Sequence, residues 1–148
     1  MVNYSKYSFL SAILIILLSG CTGITTKGLQ ETGDGTLKDR STNLVWQQFR
    51  SPVFTSVDEV LDYVKTLNLG GYSDWRLPTN EELLDFYFDF DFGSANAEKL
   101  GIRIEGSYWY RDKDGLLKTG AWKDDGNICE ITRGYEESES GYVRAVRP

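Results

Sequence analysis

The clearest periodic signal in the chain is "FTSVDEVLDYVKTLNLGG", Phe54 to Gly71. Val57, Val60, Leu61, Val64 and Leu67 recur at helical spacing, which predicts a helix with one buried stripe. Ser56 stands where an N-cap belongs, and Glu59 follows three residues on, completing a capping box. Gly70 and Gly71 are placed to stop the helix, because glycine takes the left-handed conformation at low cost. A second helix is predicted from "PTNEELLDFYF": Pro78 fixes its approach, Thr79 caps, Glu82 answers, and Leu83, Leu84 and Tyr87 face inward. Before these helices, "TLKDRSTNLVWQQF" alternates loosely and predicts a hairpin. Its strands are Thr36 to Lys38 and Leu44 to Gln48, and Leu44, Val45, Trp46 and Phe49 are core candidates. After them, "DFDFGSANAEKLGIRIEG" is irregular and reads as strand or loop. From Ser107 the pattern is β: "SYWYR", "LLKTGAW", "ICEIT" and "GYVRAVR", with a polar run "RGYEESES" before the last. The Asp-Gly pairs at 114–115 and 125–126 are hairpin signals. A strand pair, two helices and a run of antiparallel strands make an α+β domain. Neither internal repeats nor coiled-coil heptads are seen.

The first twenty residues do not belong to that pattern. Lys6 is followed by an apolar run of ten, Phe9 to Leu18, too short to span a bilayer but of signal-peptide length. "LSGC" then runs into Cys21, an order that resembles the bacterial lipoprotein signal. The resemblance implies a signal at 1–20, cleavage before Cys21 and lipid, palmitate included, on Cys21. Thr22 rather than Asp follows, which by the same resemblance implies the outer membrane, with the periplasmic or surface face left open. Residues 21–34 are small, polar and rich in Gly and Thr, and read as a flexible tether. The domain is then 35–148.

Charge and composition narrow the chemistry. Removing Lys6 from the 16 basic residues leaves 15 against 22 acidic ones, a net charge of −7 for the mature chain. That balance, with no basic patch, argues against a nucleic-acid partner. There is no His, so the commonest general base and metal ligand is missing. With Cys21 carrying lipid, Cys129 is left without an internal disulfide partner. No nucleophile is paired with a base at readable spacing, so a non-enzyme without cofactor or metal is expected. "DKDG", Asp112 to Gly115, breaks the calcium-loop pattern at Leu116 and reads as a hairpin turn. Asp85, Asp89 and Asp91 read as a solvated acidic loop among buried Phe residues. Tyr108, Trp109, Tyr110 and Trp122, with Arg111, are the candidate ligand-binding residues, because aromatic rings stack on sugars or anchor protein partners. Alternation puts Tyr108 and Tyr110 on one face and Trp109 on the other, so the three should divide between core and surface. A cluster of Arg103, Arg111, Lys113 and Lys118 would be the place for an anionic ligand.

Three stretches together carry a resemblance: "GDGTLKDRSTNLVWQ" (Gly33 to Gln47), "LNLGGYSDWRLPTNEEL" (Leu67 to Leu83) and "GYVRAVR" (Gly141 to Arg147). In their order and spacing they resemble the Lcl C-terminal domain family of secreted and surface proteins of bacteria. The resemblance implies a C-type-lectin-like fold: a mixed, mostly antiparallel sheet with two helices and long loops. One branch of that family is similar to an adhesin for sulfated polysaccharide, a ligand that a net of −7 does not favour. Gly70, Gly71, Trp75, Arg76, Pro78, Thr79 and Glu82 form the structural signature, with Trp75 packed inside and Arg76 paired with a carboxylate or with loop carbonyls. Relatives often carry one Cys in the first helix and one in the closing strand. Val64 and Ala145 stand there instead, which implies that the two are buried near each other. The Glu-Pro-Asn and Trp-Asn-Asp calcium motifs of sugar-binding lectins are absent. "WRLPTNEE" also resembles the formylglycine-generating enzyme, whose chemistry needs a cysteine pair that this chain lacks. The expectation is a lipid-anchored envelope protein with a non-catalytic recognition domain for a glycan or a protein. The alternatives are a structural or accessory envelope lipoprotein without a small ligand, and a degenerate relative of that enzyme fold. Any functional surface is expected between Phe88 and Asn127.

Overall fold

The structure, a computed structural model, describes residues 28–91, 100–124 and 133–148. The expected signal peptide, Cys21, Cys129, the "ICEIT" segment and the hairpin signal at 125–126 lie outside the described residues. Among the described residues nine strands and two helices follow in order: β1 Leu29–Glu31, β2 Thr36–Asp39, β3 Val45–Gln47, β4 Val53–Phe54, α1 Val57–Thr66, α2 Asn80–Asp91, β5 Tyr108–Arg111, β6 Leu117–Asp124, β7 Arg133–Glu137, β8 Gly141–Tyr142 and β9 Val146–Arg147. They form two sheets, β1-β2-β3-β9 and β4-β8-β5-β6-β7. Among the described strands, the pairings are antiparallel except β5 with β8. The chain is α+β, as its pattern predicts.

The closing segment divides what was read as one strand. Gly141 and Tyr142 join the second sheet, and Val146 and Arg147 join the first. Between them Arg144 is buried, 1% exposed. Its guanidinium donates to the carbonyls of Gln47, Gln48 and Arg103. The β1 strand is a second difference. Leu29–Glu31, inside the stretch read as tether, pairs with β2, with Leu29 opposite Asp39.

Both helices begin where their caps predict. The Ser56 side chain accepts from the Glu59 amide, and Glu59 in turn accepts from Thr55 rather than from the cap residue. The α2 box is fully reciprocal: Glu82 N donates to Thr79 Oγ1 at 3.1 Å, and Thr79 N donates to Glu82 Oε2 at 2.9 Å. The α1 stripe is narrower than predicted. Val60 and Val64 are buried, whereas Val57 and Leu61 are about two-fifths exposed. Phe49, a core candidate, is 58% exposed. The glycines do not end α1, which stops at Thr66 with Leu67 extended. Gly70 and Gly71 have φ of 61° and 78° and occupy the centre of a turn closed by Tyr72 N donating to Leu69 O, the geometry of a primed turn. A Cβ at Gly70 would also collide with Asp34 and Thr36. At the far end α2 runs on to Asp91, so Asp85, Asp89 and Asp91 are helical rather than a loop.

Two apolar clusters fill the domain, and β5 lies between them. Tyr108 and Tyr110 enter the first, with Leu37, Trp46, Leu83, Phe86 and Tyr87. Trp109 enters the second, with Val45, Val60, Trp75 and Val143. Val64 and Ala145 are buried together in this second cluster, as expected for apolar residues filling the place of a disulfide. The region read as a polar run contains β7: its Arg133–Glu137 pair with β6 as an edge strand.

Candidate functional site

One face of the second sheet builds the site. Register places Tyr110 opposite Lys118, and Trp122 opposite Tyr135. Tyr108, Tyr110, Lys118, Gly120, Trp122, Tyr135 and Glu137 therefore share a face, by strand alternation. The Tyr108 end is sealed by α2, whose Tyr87 ring lies 5.7 Å from Tyr108 and 5.5 Å from Trp122. The Tyr110 end is open. There a cleft of about 520 Å³ is lined by Thr79, Asn80 and Glu81, by Tyr110 and the turn Arg111 to Asp114, and by Lys118, Tyr135 and Glu137.

Each wall has a local cause. Gly120 lets Tyr135 lie across β6: a Cβ there would fall on the Tyr135 hydroxyl and the Glu136 carbonyl. Tyr135 then meets Tyr110, whose hydroxyl donates to that of Tyr135 at 2.8 Å. The turn is a hairpin, as predicted. Asp112 Oδ1 accepts the amides of Asp114 and Leu116, both at 2.9 Å, and Gly115 takes a φ of 82°. The third wall is the start of α2. Arg111 N donates to Pro78 O at 2.9 Å, and Thr79 bridges to Arg111. The "WRLPT" stretch thereby bolts the helix start to the end of β5.

The electrostatics are mixed and mostly paired. Lys113 contacts Asp114 at 3.1 Å, and Lys118 lies 3.9 Å from both Asp112 and Glu137. Arg111 donates to the Gly115 carbonyl. Burial, then the Tyr110 hydroxyl, then the Glu137 charge push the Tyr135 hydroxyl above its ordinary value, so it remains neutral.

The sequence candidates separate accordingly. Tyr108 and Trp109 are core residues, 0% and 5% exposed, and are withdrawn as ligand contacts. The expected division between core and surface fails because β5 is covered on both faces. Tyr110 is also buried but reaches the cleft wall. Trp122 is half-buried among Tyr87, Tyr110 and Tyr135 and does not line the cleft. Arg111, Lys113 and Lys118 are brought together there; Arg103 is not, and its carbonyl serves Tyr108 and Arg144. Of the structural signature, Trp75 is buried with Nε1 donating to Tyr72 O, and Arg76 pairs with Glu82 as a carboxylate partner. Thr79 both caps α2 and lines the cleft, so the signature contributes to a functional surface that was expected only between Phe88 and Asn127. Asn80, Glu81, Tyr135 and Glu137 were not found from sequence. For the last two, reading "RGYEE" as an edge strand would have supplied the signal.

Residues 35–147 match the sequence description of the Lcl C-terminal domain. The chain belongs to the Lcl C-terminal domain family. No curated protein and no solved structure matches the chain. Within this Lcl C-terminal domain, the signature loop spans the two sheets. Arg76 exchanges both backbone hydrogen bonds with Val146 of β9, while Pro78 and Thr79 hold β5. Asp74 grips Arg147 at 2.6 and 2.9 Å, with Tyr72 beneath the guanidinium.

Proposed function

We propose that this protein is a lipid-anchored component of the bacterial envelope, and that its Lcl C-terminal domain is a non-catalytic recognition module for a glycan or a protein segment. The observation that carries the reading is the cleft at the open end of the aromatic sheet face. It offers a Tyr135 ring beside a rim of Asn, Asp, Glu, Lys and Arg, the mixture that orients a polar ligand while covering its apolar side. Family membership supports an envelope setting, and the order of apolar run, small residues and Cys21 supports the lipid anchor. Binding without catalysis fits the state of the hydroxyls: that of Tyr110 is spent as a donor to Tyr135, and Tyr135 is pushed away from serving as a base near neutral pH. A glycan array and a pull-down from envelope extract test the reading, each with wild type and Tyr135→Ala. A reproducible ligand lost in the variant is expected; no ligand in either assay would overturn it. Cys21→Ser should move the protein out of the membrane fraction.

A further inference from the structure

The charges of the cleft differ in how far they are already committed. Among the described residues three cations line it, and each has a partner, although Lys118 comes no nearer than 3.9 Å to either of its own. Lys113 is on Asp114, Lys118 lies between Asp112 and Glu137, and Arg111 is on the Gly115 carbonyl. Of the four carboxylates among the described lining residues, Asp112 is spent on the turn amides and Asp114 on Lys113. Glu81 is exposed, and among the described residues nothing hydrogen-bonds or pairs with its carboxylate. Glu137 has only the 3.9 Å approach of Lys118, which Asp112 shares, and its side chain is 74% exposed. The start of α2 would ordinarily favour an anion. Here Glu81 and Glu82 occupy its first turn, and Thr79 and Glu82 close its cap. The charge left for a ligand is therefore negative, and Tyr135 lines the same cleft as its two sources, Glu81 in the first turn of α2 and Glu137 two residues further along β7.

From this arrangement we infer that the cleft recognises an ammonium group, held by the Glu81 and Glu137 carboxylates beside the Tyr135 ring. The inference rests on the reading of the cleft as a recognition site and gives that site its ligand chemistry. A carboxylate pair supplies charge complementarity, and a tyrosine ring adds an attraction for cations through its quadrupole. A sulfated or phosphorylated chain would meet the unpartnered Glu81 carboxylate and Glu137, which only shares Lys118 with Asp112, while each described cation lining the cleft already has a partner. The ammonium has two natural sources, a de-N-acetylated amino sugar and a lysine side chain, and both present the same charge on a short apolar stem.

The test uses the full chain in detergent micelles and isothermal titration. The probes are glucosamine hexamer against its N-acetylated form, and pentalysine against penta-acetyl-lysine. An amine-bearing probe is expected to bind at least about tenfold more tightly than its acetylated twin. Glu81→Gln/Glu137→Gln should remove about that factor. Both residues are exposed, so the fold is unaffected, which circular dichroism verifies. Whether the hexamer or the peptide binds identifies the source. Equal binding of an acetylated probe, lost in Tyr135→Ala, would overturn the ammonium inference and leave the recognition reading standing. Failure of both amine probes at millimolar concentration, or preference for a sulfated hexasaccharide, would also overturn the inference, and the glycan array would decide the recognition reading separately.

Discussion

Glu82 holds Arg76 through both carboxylate oxygens, at 2.7 and 2.8 Å, while the same carboxylate accepts the Thr79 amide that opens α2. A single side chain thus fixes the helix start and the loop that spans the two sheets. Glu82→Ala removes the cap partner and the ion pair together. The pair is partly exposed, with side chains 41% and 22% accessible, so its share is small and the cap dominates. The expected loss is about 1–2 kcal/mol in urea denaturation. Arg76→Lys keeps the charge but cannot span both oxygens, and should cost less than Glu82→Ala. A midpoint unchanged in Glu82→Ala would contradict the role assigned to this joint.

Arg144 is the second joint. It is fully buried, without a carboxylate partner among the described residues, and serves three backbone carbonyls where the chain passes from one sheet to the other. The Phe86 and Tyr108 rings lie 5.1 and 5.7 Å from the guanidinium. Arg144→Met fills similar volume but strands those carbonyls. At about 1 kcal/mol for each lost acceptor, the expected destabilisation is roughly 3 kcal/mol. Arg144→Lys, with one nitrogen for three acceptors, should recover less than half of it. Chemical denaturation of the two variants against wild type measures both.

The sequence exposed what local chemistry decides. Both helix starts follow from capping boxes whose partners are three residues apart, and the Asp112–Gly115 turn follows from one Asp-Gly pair. What it hid depends on distant neighbours. Alternation assigned Tyr108 and Trp109 to opposite fates because a strand with one wet face was assumed, yet β5 sits inside its sheet with apolar clusters on both sides. Gly70 and Gly71 looked like a helix stop because they follow a helical stripe; their positive φ instead serves a turn pressed against Asp34 and Thr36. The "RGYEE" strand was missed because an edge strand needs few apolar residues. The cleft was half-legible. Arg111, Lys113 and Lys118 flank one hairpin, but Glu81 and Glu137 are 56 positions apart in the numbering and come to line one cleft only through the register of β6 with β7 and the docking of α2.

Val64 and Ala145 share one buried cluster, where relatives by resemblance carry cysteines. Val64→Cys/Ala145→Cys, in a background with Cys21→Ser and Cys129→Ser, should oxidise to an internal disulfide. It would close a loop of about 80 residues, for which chain entropy predicts a gain of roughly 3–4 kcal/mol after some native strain. A mobility shift on non-reducing gels and a raised Tm that dithiothreitol abolishes would confirm it. Persistence of two free thiols under oxidising conditions would show that packing has moved these positions apart.

The pH dependence has a sign that the side-chain partners fix. Asp34 is held below its ordinary value by the hydroxyls of Thr32 and Thr36, and Asp74 by the Arg147 guanidinium. At Asp39 burial alone would raise the value, but the hydroxyls and amides of Ser41 and Thr42 outweigh it and the net shift is downward. Glu82 is lowered chiefly by Arg76. Groups lowered in the folded state stabilise it above their unfolded values, and that stability is lost as pH falls through the folded ones. The Tm should therefore be flat between about pH 5 and 9 and fall steeply below about pH 4. Tyr63, Tyr87 and Tyr135 are raised, mainly by burial. Their stabilising effect is complete below about pH 10 and lost as pH rises further, so an alkaline limb should follow. Asp39→Asn should lower the plateau and flatten the acid limb, because a neutral amide keeps an acceptor but has no charge to lose. A wild-type Tm that holds its neutral value down to pH 2 would contradict this assignment of the carboxylates.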